Sequence, residues 1–311
     1  MKKLIIAVIL MMLFNCCIIT NAFSITTNEK ANQVTIFTSD IIIVDDEGDG
    51  DFLTIQEAID EAVSGNTIQV YSGNYNGNIT LDKEDVIIQG FNYELGSGDD
   101  ENFPFIIGEG SGDVVRILSD HITVSGFIIQ NSGNELYDAG IGVYSDFCII
   151  SGNGIVGNFY GILLNDCNSN KINQNYVVSN TMDGIFMMYT SDNTVSNNEI
   201  TENGFQGIFL YETQDNEINN NRIFLNSKDG IHLRNFNIDN TITENTIYSN
   251  NIDGIKLFDP ENSHNLISKN EIYSNRFNGI HSRPRFFSGF GFQIRLASFE
   301  NLLLILVSLC V

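Results

Sequence analysis

One period of the chain opens Gly184-Ile185-Phe186-Met187, continues through Asn193-Thr194-Val195 and Asn198-Glu199-Ile200, and closes at Gln206 before Gly207-Ile208 starts the next. The Gly-Ile pair recurs at Gly140, Gly161, Gly184, Gly207, Gly230, Gly254 and Gly279, at spacings of 21 to 25 residues. A period in the twenties that absorbs small insertions marks a solenoid, in which each repeat buries its apolar face only against its neighbours. The segments within each period alternate in twos and are bounded by Asn, Asp, Ser or Gly, so they read as strands and not as helices. About three short strands in ~23 residues describe one coil of a parallel β-helix, with coils stacked at about 4.8 Å.

Three asparagine registers keep step with the glycines. They are Asn170, Asn193, Asn216, Asn240 and Asn265; Asn175, Asn198, Asn221, Asn245 and Asn270; and Asn180, Asn203, Asn226, Asn250 and Asn275. Asparagines at equivalent turns of stacked coils are expected to form side-chain amide ladders. From Ile172, Val195, Ile218, Ile242 and Ile267 to the next glycine the separation is always 12 residues. All length variation therefore falls just after the Gly-Ile strand, and that arc carries the loops.

Ahead of the repeats, Ile41 to Val44 reads as a strand and Asp45 to Asp51 as an acidic turn. Thr54 to Val63 reads as an amphipathic helix, opened by a Thr54–Glu57 capping box and ended by Gly65. Strands follow at Thr67 to Tyr71, Asn78 to Leu81 and Val86 to Gln89. A helix here would cover the open strand edge at the end of the solenoid. The acidic turn offers oxygens of the kind that suit Ca²⁺. It lacks the spacing of a known calcium loop, and a solvated turn is the simpler reading, so the sequence requires no cofactor.

Met1-Lys2-Lys3, the apolar run Leu4 to Phe14 and the polar stretch to Thr20-Asn21-Ala22 match the three regions of a secretory signal peptide. Eleven apolar residues are too few for a membrane span. Cys16 offers a weaker alternative as a lipidation site. Export to the cell surface or medium leaves Cys148 and Cys167 either paired across adjacent repeats or as two free thiols. The net charge of −24, from 39 acidic and 15 basic residues, weighs against nucleic acid and anionic lipid as partners. Contact with a membrane is expected only through the signal peptide or a lipid anchor. The chain divides into a signal peptide (1–22), a linker (23–40), a cap with the first coils (41–91), β-helix repeats (92–285) and an irregular apolar tail (286–311). The tail reads as a cap over the last coil or as the truncated or frame-shifted end of a longer array.

The run Ile43-Val44-Asp45-Asp46, Phe52 to Ile59 and Gly65 to Tyr75, followed by asparagine-rich coils, resembles the pectin-lyase-like right-handed parallel β-helix proteins. The likeness spans residues 41–285 and is greatest to the branch with carbohydrate-binding and sugar-hydrolase repeats, which includes NosD-like proteins. It implies an all-β, single-stranded right-handed parallel β-helix with an N-terminal capping helix. It does not specify an activity, because the shared motifs are turns and core positions.

In each Gly-Ile strand the isoleucine and the residue two further on point inward. The outward positions form one row of Leu163, Phe186, Phe209, His232, Lys256 and His281, and a second of Asn165, Met188, Tyr211, Arg234, Phe258 and Arg283. Exposed aromatics beside cations suit sugar rings and their hydroxyls or carboxylates. Phe186, Phe209, Tyr211, His232, Arg234, Lys256 and Phe258 are therefore the candidate polysaccharide-binding residues. Stacking between like residues of neighbouring coils is the plainer alternative.

Asp183, Asp229 and Asp253 precede their glycines, in a slot that Gln206 and Asn278 also fill, which favours a structural turn. For an enzyme, the best neighbourhood is Asp229, His232, Arg234, Asp253, Lys256 and Asp259. Neither the hydrolase nor the lyase motifs of the resembled families are present, so no catalytic residue is assigned. A copper role, which the NosD-like branch implies, needs imidazole or sulfur ligands. Of His121, His232, His264 and His281, only His232 and His281 share a row, two coils apart with Lys256 between them. The leading expectation is an exported protein that binds polysaccharide or serves a structural role. A polysaccharide lyase or hydrolase is the main rival, and an accessory protein for an exported metalloenzyme the second.

Overall fold

A computed structural model describes residues 40–96, 102–259 and 261–282. The expected signal peptide, Cys16, nearly all of the linker, Arg283 and the apolar tail lie outside the described residues. The chain winds as a parallel β-helix whose coils contribute one strand to each of three sheets. Sheet A has ten strands, from Ile41–Val44 to Leu266–Ser268, and sheet B has nine, from Asn74–Asn76 to Glu271–Tyr273. Sheet C has nine, from Ile79–Leu81 to Ile280–Ser282, and contains the Gly-Ile strands. Pairing is parallel and in step, so that Ile162, Ile185, Ile208, Ile231, Ile255 and Ile280 form one column.

Each coil sends one apolar column inward from each sheet. Ile172, Val195, Ile218 and Ile242 from sheet A meet Val177, Ile200, Ile223 and Ile247 from sheet B and Ile162, Ile185, Ile208, Ile231 and Ile255 from sheet C, all fully buried, whereas Ile280 in the last coil is partly buried. The glycine of each pair sits at the corner between sheets B and C. A Cβ on Gly207 would lie 2.4 Å from Ile223 Cγ2 and 2.7 Å from the Gly230 carbonyl oxygen. The corner therefore leaves no room for a side chain.

The asparagine ladders form as expected and close along almost their whole length; the exception is the first rung, where the Asn170 amide is buried without a partner. Asn198 donates its backbone N–H (3.0 Å) and its amide (3.0 Å) to Asn221 Oδ1. The amide also donates to the Ile172 carbonyl of the preceding coil at 2.8 Å. Its own Oδ1 accepts the backbone N–H and amide of Asn175 at 2.9 and 3.0 Å. The ladders also hold a feature of the turns that composition does not reveal. The residue before each ladder asparagine is left-handed, including Asp192 (φ 57°), Leu225 (φ 56°) and Lys269 (φ 56°). Such a conformation disfavours non-glycine residues by roughly 1–2 kcal/mol each, and the ladder bonds on either side enforce it.

At the N-terminal end, α1 (Ile55–Glu61) buries Ile55, Ala58 and Ile59 in the main core. Thr54 caps it by accepting the Glu57 N–H at 3.3 Å. The helix ends at Ala62, earlier than Gly65, because the chain turns extended there (ψ 149°). Cys148 and Cys167 are both free, buried thiols. Cys148 occupies a ladder slot, its N–H donating to Asn170 Oδ1, whereas the Cys167 thiol points at the Val143 carbonyl oxygen. Burial pushes the Cys148 thiol up to about 11.

Candidate functional site

The outer face of sheet C carries the candidate residues, and its character changes along the axis. At the coils of Leu163 and Phe186 the outward apolar side chains are not open to solvent. Leu163, Phe186 and Met188 are buried with Ala139 and Tyr160 in a second apolar cluster, against which Tyr144, Phe159, Met182, Phe209 and Tyr211 pack. The alternation rule places Phe186 outward correctly. Its expected exposure fails because Phe159 and Met182, from the turn before the strand, lie over the sheet. Phe186 is thus a platform under the next ring rather than a contact surface.

The middle of the face is aromatic and half-exposed. Phe209 stacks on Phe186, with ring centroids 5.0 Å apart and planes at 13°. Tyr211 meets Phe209 edge-on at 6.4 Å and Tyr189 edge-on at 5.8 Å. Further along, Phe258 lies between two cations, Arg234 at 5.8 Å and Lys256 at 5.7 Å from its ring centroid. Arg234 is exposed, whereas Phe258 and Lys256 are half-buried. The structure therefore brings Phe209, Tyr211, Arg234, Lys256 and Phe258 together as one partly open surface over three coils.

His232 is different: it is only 8% exposed. Its Nδ1 lies 3.1 Å from Asp229 Oδ2 and 3.1 Å from the Gln206 side-chain amide. With Asp229 ionised, Nδ1 carries the proton and donates to the carboxylate. The Gln206 amide then has to present its oxygen to the ring, and the choice between its O and N is an assignment from partners. The other ring nitrogen, Nε2, is buried without a hydrogen-bond partner. The ring is flanked by Phe209 and Phe258, with centroids at 5.4 and 6.0 Å.

The acid row shows how environment splits one turn position into different chemistries. Burial pushes Asp183 up to about 7, because only the Gln206 N–H (2.9 Å) stabilises its charge. Burial pushes on Asp229 too. The His232 hydrogen bond, the Asp253 N–H and the Lys256 charge outweigh that effect and hold it below the usual carboxylate range. Asp253 accepts the Asn278 N–H and amide through Oδ1 and meets His281 Nδ1 at 2.9 Å through Oδ2. Asp259 Oδ2 accepts the Asn235 N–H at 2.8 Å, which is a turn role. The polar neighbourhood expected of an enzyme does assemble, but each carboxylate is engaged within the protein.

Periodicity on the Gly-Ile strand did not point to a second aromatic row, on sheet B. Phe224, Tyr248 and Tyr273 stack face to face at 4.9 and 5.0 Å, and Arg222 lies 4.5 Å over the Phe224 ring. Its signal was available, since each ring follows its ladder asparagine by three residues.

The family described as periplasmic copper-binding protein (NosD) matches residues 108–284. A search of curated proteins gives no significant match. Among solved structures, a pectin methylesterase in complex with a hexasaccharide aligns with TM-score 0.56 and 13% identity, covering 83% of this chain and 93% of that one. Carrot pectin methylesterase gives 0.51 and 13%, over 83% of this chain and 89% of the enzyme. The Dettilon tailspike protein gives 0.55 and 16%, over 78% of this chain, which spans half of the tailspike's length. At such identities the likeness shows the shared fold alone. Copper requires imidazole or sulfur donors gathered at one point. Among the described residues the only group of three potential ligands is Asp45, Glu47 and Glu94, which offers oxygen alone. His121 stacks on Phe147, and Lys256 stands between His232 and His281 in the strand register. The residues described do not fit a copper centre.

Proposed function

We propose a function from one premise: this chain belongs to the NosD family, described as periplasmic copper-binding proteins. It works outside the cytoplasm and binds extracellular polysaccharide along the outer face of sheet C, without altering it chemically. The observation that carries this reading is the half-exposed series of Phe209 (stacked on Phe186), Tyr211 (edge-on to Phe209) and Phe258 (flanked by Arg234 and Lys256). Rings on two coils along the axis suit an extended sugar chain, and the cations beside the second of them suit its hydroxyls or carboxylates. The fold is compatible with such a ligand, since the pectin methylesterase that shares it was solved with a hexasaccharide.

One observation favours the rival enzyme reading: the Asp229–His232 pair has the form of an oriented base. Against it, the free nitrogen of His232 is buried, where no substrate proton can reach it without rearrangement. A polysaccharide array followed by assays for reducing and unsaturated sugars, with and without Ca²⁺, separates the two. Binding without product is expected. Product formation that disappears in H232A would establish the enzyme, and the absence of any bound glycan would refute the binding face.

A further inference from the structure

We infer a Ca²⁺ site at the N-terminal end, where the acidic turn meets the loop that follows the sheet A strand Ile87–Gly90. Asp45 and Glu47 come from the turn and Glu94 from the loop. One carboxylate oxygen from each lies within 4.8 Å of the other two. Three oxygens so placed lie no more than about 2.8 Å from a common point, so a shift of a few tenths of an ångström brings all three to the roughly 2.3–2.6 Å of a single Ca²⁺.

Proximity of acids alone would not suffice, and the decisive observation concerns Asp45. Its side chain is fully buried (0% exposed). Oδ2 accepts the Asp49 N–H at 2.9 Å, whereas Oδ1 is buried with no hydrogen-bond partner. None of the ion pairs among the described residues includes Asp45. A buried carboxylate with neither counter-charge nor a second donor is strongly disfavoured, and a cation at the meeting point of the three acids supplies what is missing. A solvated turn, the simpler expectation from sequence, does not describe a residue with no exposure.

The backbone holds the three groups in place without the ion. Gly48 is left-handed (φ 95°), and a Cβ on Gly50 would lie 2.8 Å from the Ile43 carbonyl oxygen, so the turn folds tightly back on its strand. The loop is pinned by Phe91 stacking on Tyr71 at 5.5 Å, by Tyr93 edge-on to Tyr71 at 5.3 Å and by the Ser72 N–H to the Tyr93 carbonyl at 3.3 Å. All-oxygen ligands select a hard cation over copper or zinc, and carboxylates on an irregular turn suit Ca²⁺ better than the strict octahedron of Mg²⁺. The ion would tie the turn after the first sheet A strand to the loop after the third.

The test uses the exported chain after chelator treatment. The sequence has eleven tyrosines and no tryptophan, so Tb³⁺ emission excited through tyrosine reports on the site. Saturable Tb³⁺ emission displaced by Ca²⁺ is expected. So is a rise in Tm of about 5–10 °C at a hundredfold excess of Ca²⁺ over its Kd, absent with NaCl at equal ionic strength. E47Q and E94Q should each weaken Ca²⁺ binding by about tenfold or more and, at the same Ca²⁺ concentration, cut the shift to about half or less. E135Q, at an exposed acid elsewhere, should behave as wild type. No saturable emission and no shift in the wild type would overturn the site. Undiminished binding in both E47Q and E94Q would do the same, whatever their metal-free Tm.

Discussion

Two kinds of buried polar row run along this solenoid with one residue per coil, and they differ in how completely they close. The ladder rows repeat asparagine coil after coil, and an interior member such as Asn198 donates forward and backward while its oxygen accepts twice. The row before the Gly-Ile glycine changes from Asp183 to Gln206, Asp229, Asp253 and Asn278. Each of the aspartates accepts a backbone N–H from the next coil through one oxygen. The second oxygen is left to its surroundings. At Asp229 and Asp253 it recruits His232, Lys256 and His281 from the outer face. Uniform repetition therefore builds scaffold, and variation within a repeated slot concentrates charge and chemistry on one face.

Opening a ladder should have the largest effect on stability. Asn198→Ala leaves the Asn175 N–H and amide without their acceptor and the Ile172 carbonyl without its donor, all buried. A loss of about 3–5 kcal/mol is expected from chemical denaturation. A loss below 1 kcal/mol would mean that the ladders contribute little.

The acid row responds to pH where the ladders cannot. Asp183 has its folded pKa raised to about 7. Between the ordinary carboxylate range and that value the folded state holds a proton that the unfolded chain has released, so stability falls as pH rises through this window. The slope is at most about 1.4 kcal/mol per pH unit. Asp183→Asn keeps the acceptor for the Gln206 N–H and removes the charge. It should flatten the slope and stabilise the protein at pH 8 by about 2–4 kcal/mol, with little effect at pH 4. Equal slopes in wild type and variant would contradict the assignment. Asp229, held below the usual range, contributes in the opposite sense, and its stabilisation is lost as pH falls through its lowered value.

Two smaller changes probe the corners. Gly207→Ala forces a methyl against Ile223 and the Gly230 carbonyl and should lower stability by about 1–3 kcal/mol, read from the denaturation midpoint. Leu225→Gly places the residue suited to a left-handed corner at an exposed site and should gain up to about 1 kcal/mol. A loss there would show that the leucine makes contacts that outweigh its strained backbone.

Period, strand positions and amide ladders were legible in the sequence because each depends on what a residue repeats. The left-handed corners were not, since Leu225, Lys269 and Gln174 carry no local sign of that conformation; the ladder around them imposes it. Phe186 was placed on the correct face but read as exposed, because alternation says nothing of a turn folding over the sheet. The Asp45 environment was hidden for a related reason. Glu94 joins it from a distant loop, brought there by the Tyr71, Phe91 and Tyr93 contacts and by no spacing motif.

The central claim is that the open aromatic part of sheet C, and not sheet B, takes polysaccharide. Isothermal titration of the best-bound glycan into wild type, F209S/Y211S and F224S/Y248S tests it most directly. Binding weakened by about tenfold or more in F209S/Y211S and unchanged in F224S/Y248S is expected. Unchanged affinity in F209S/Y211S, with or without a loss in F224S/Y248S, would contradict the claim.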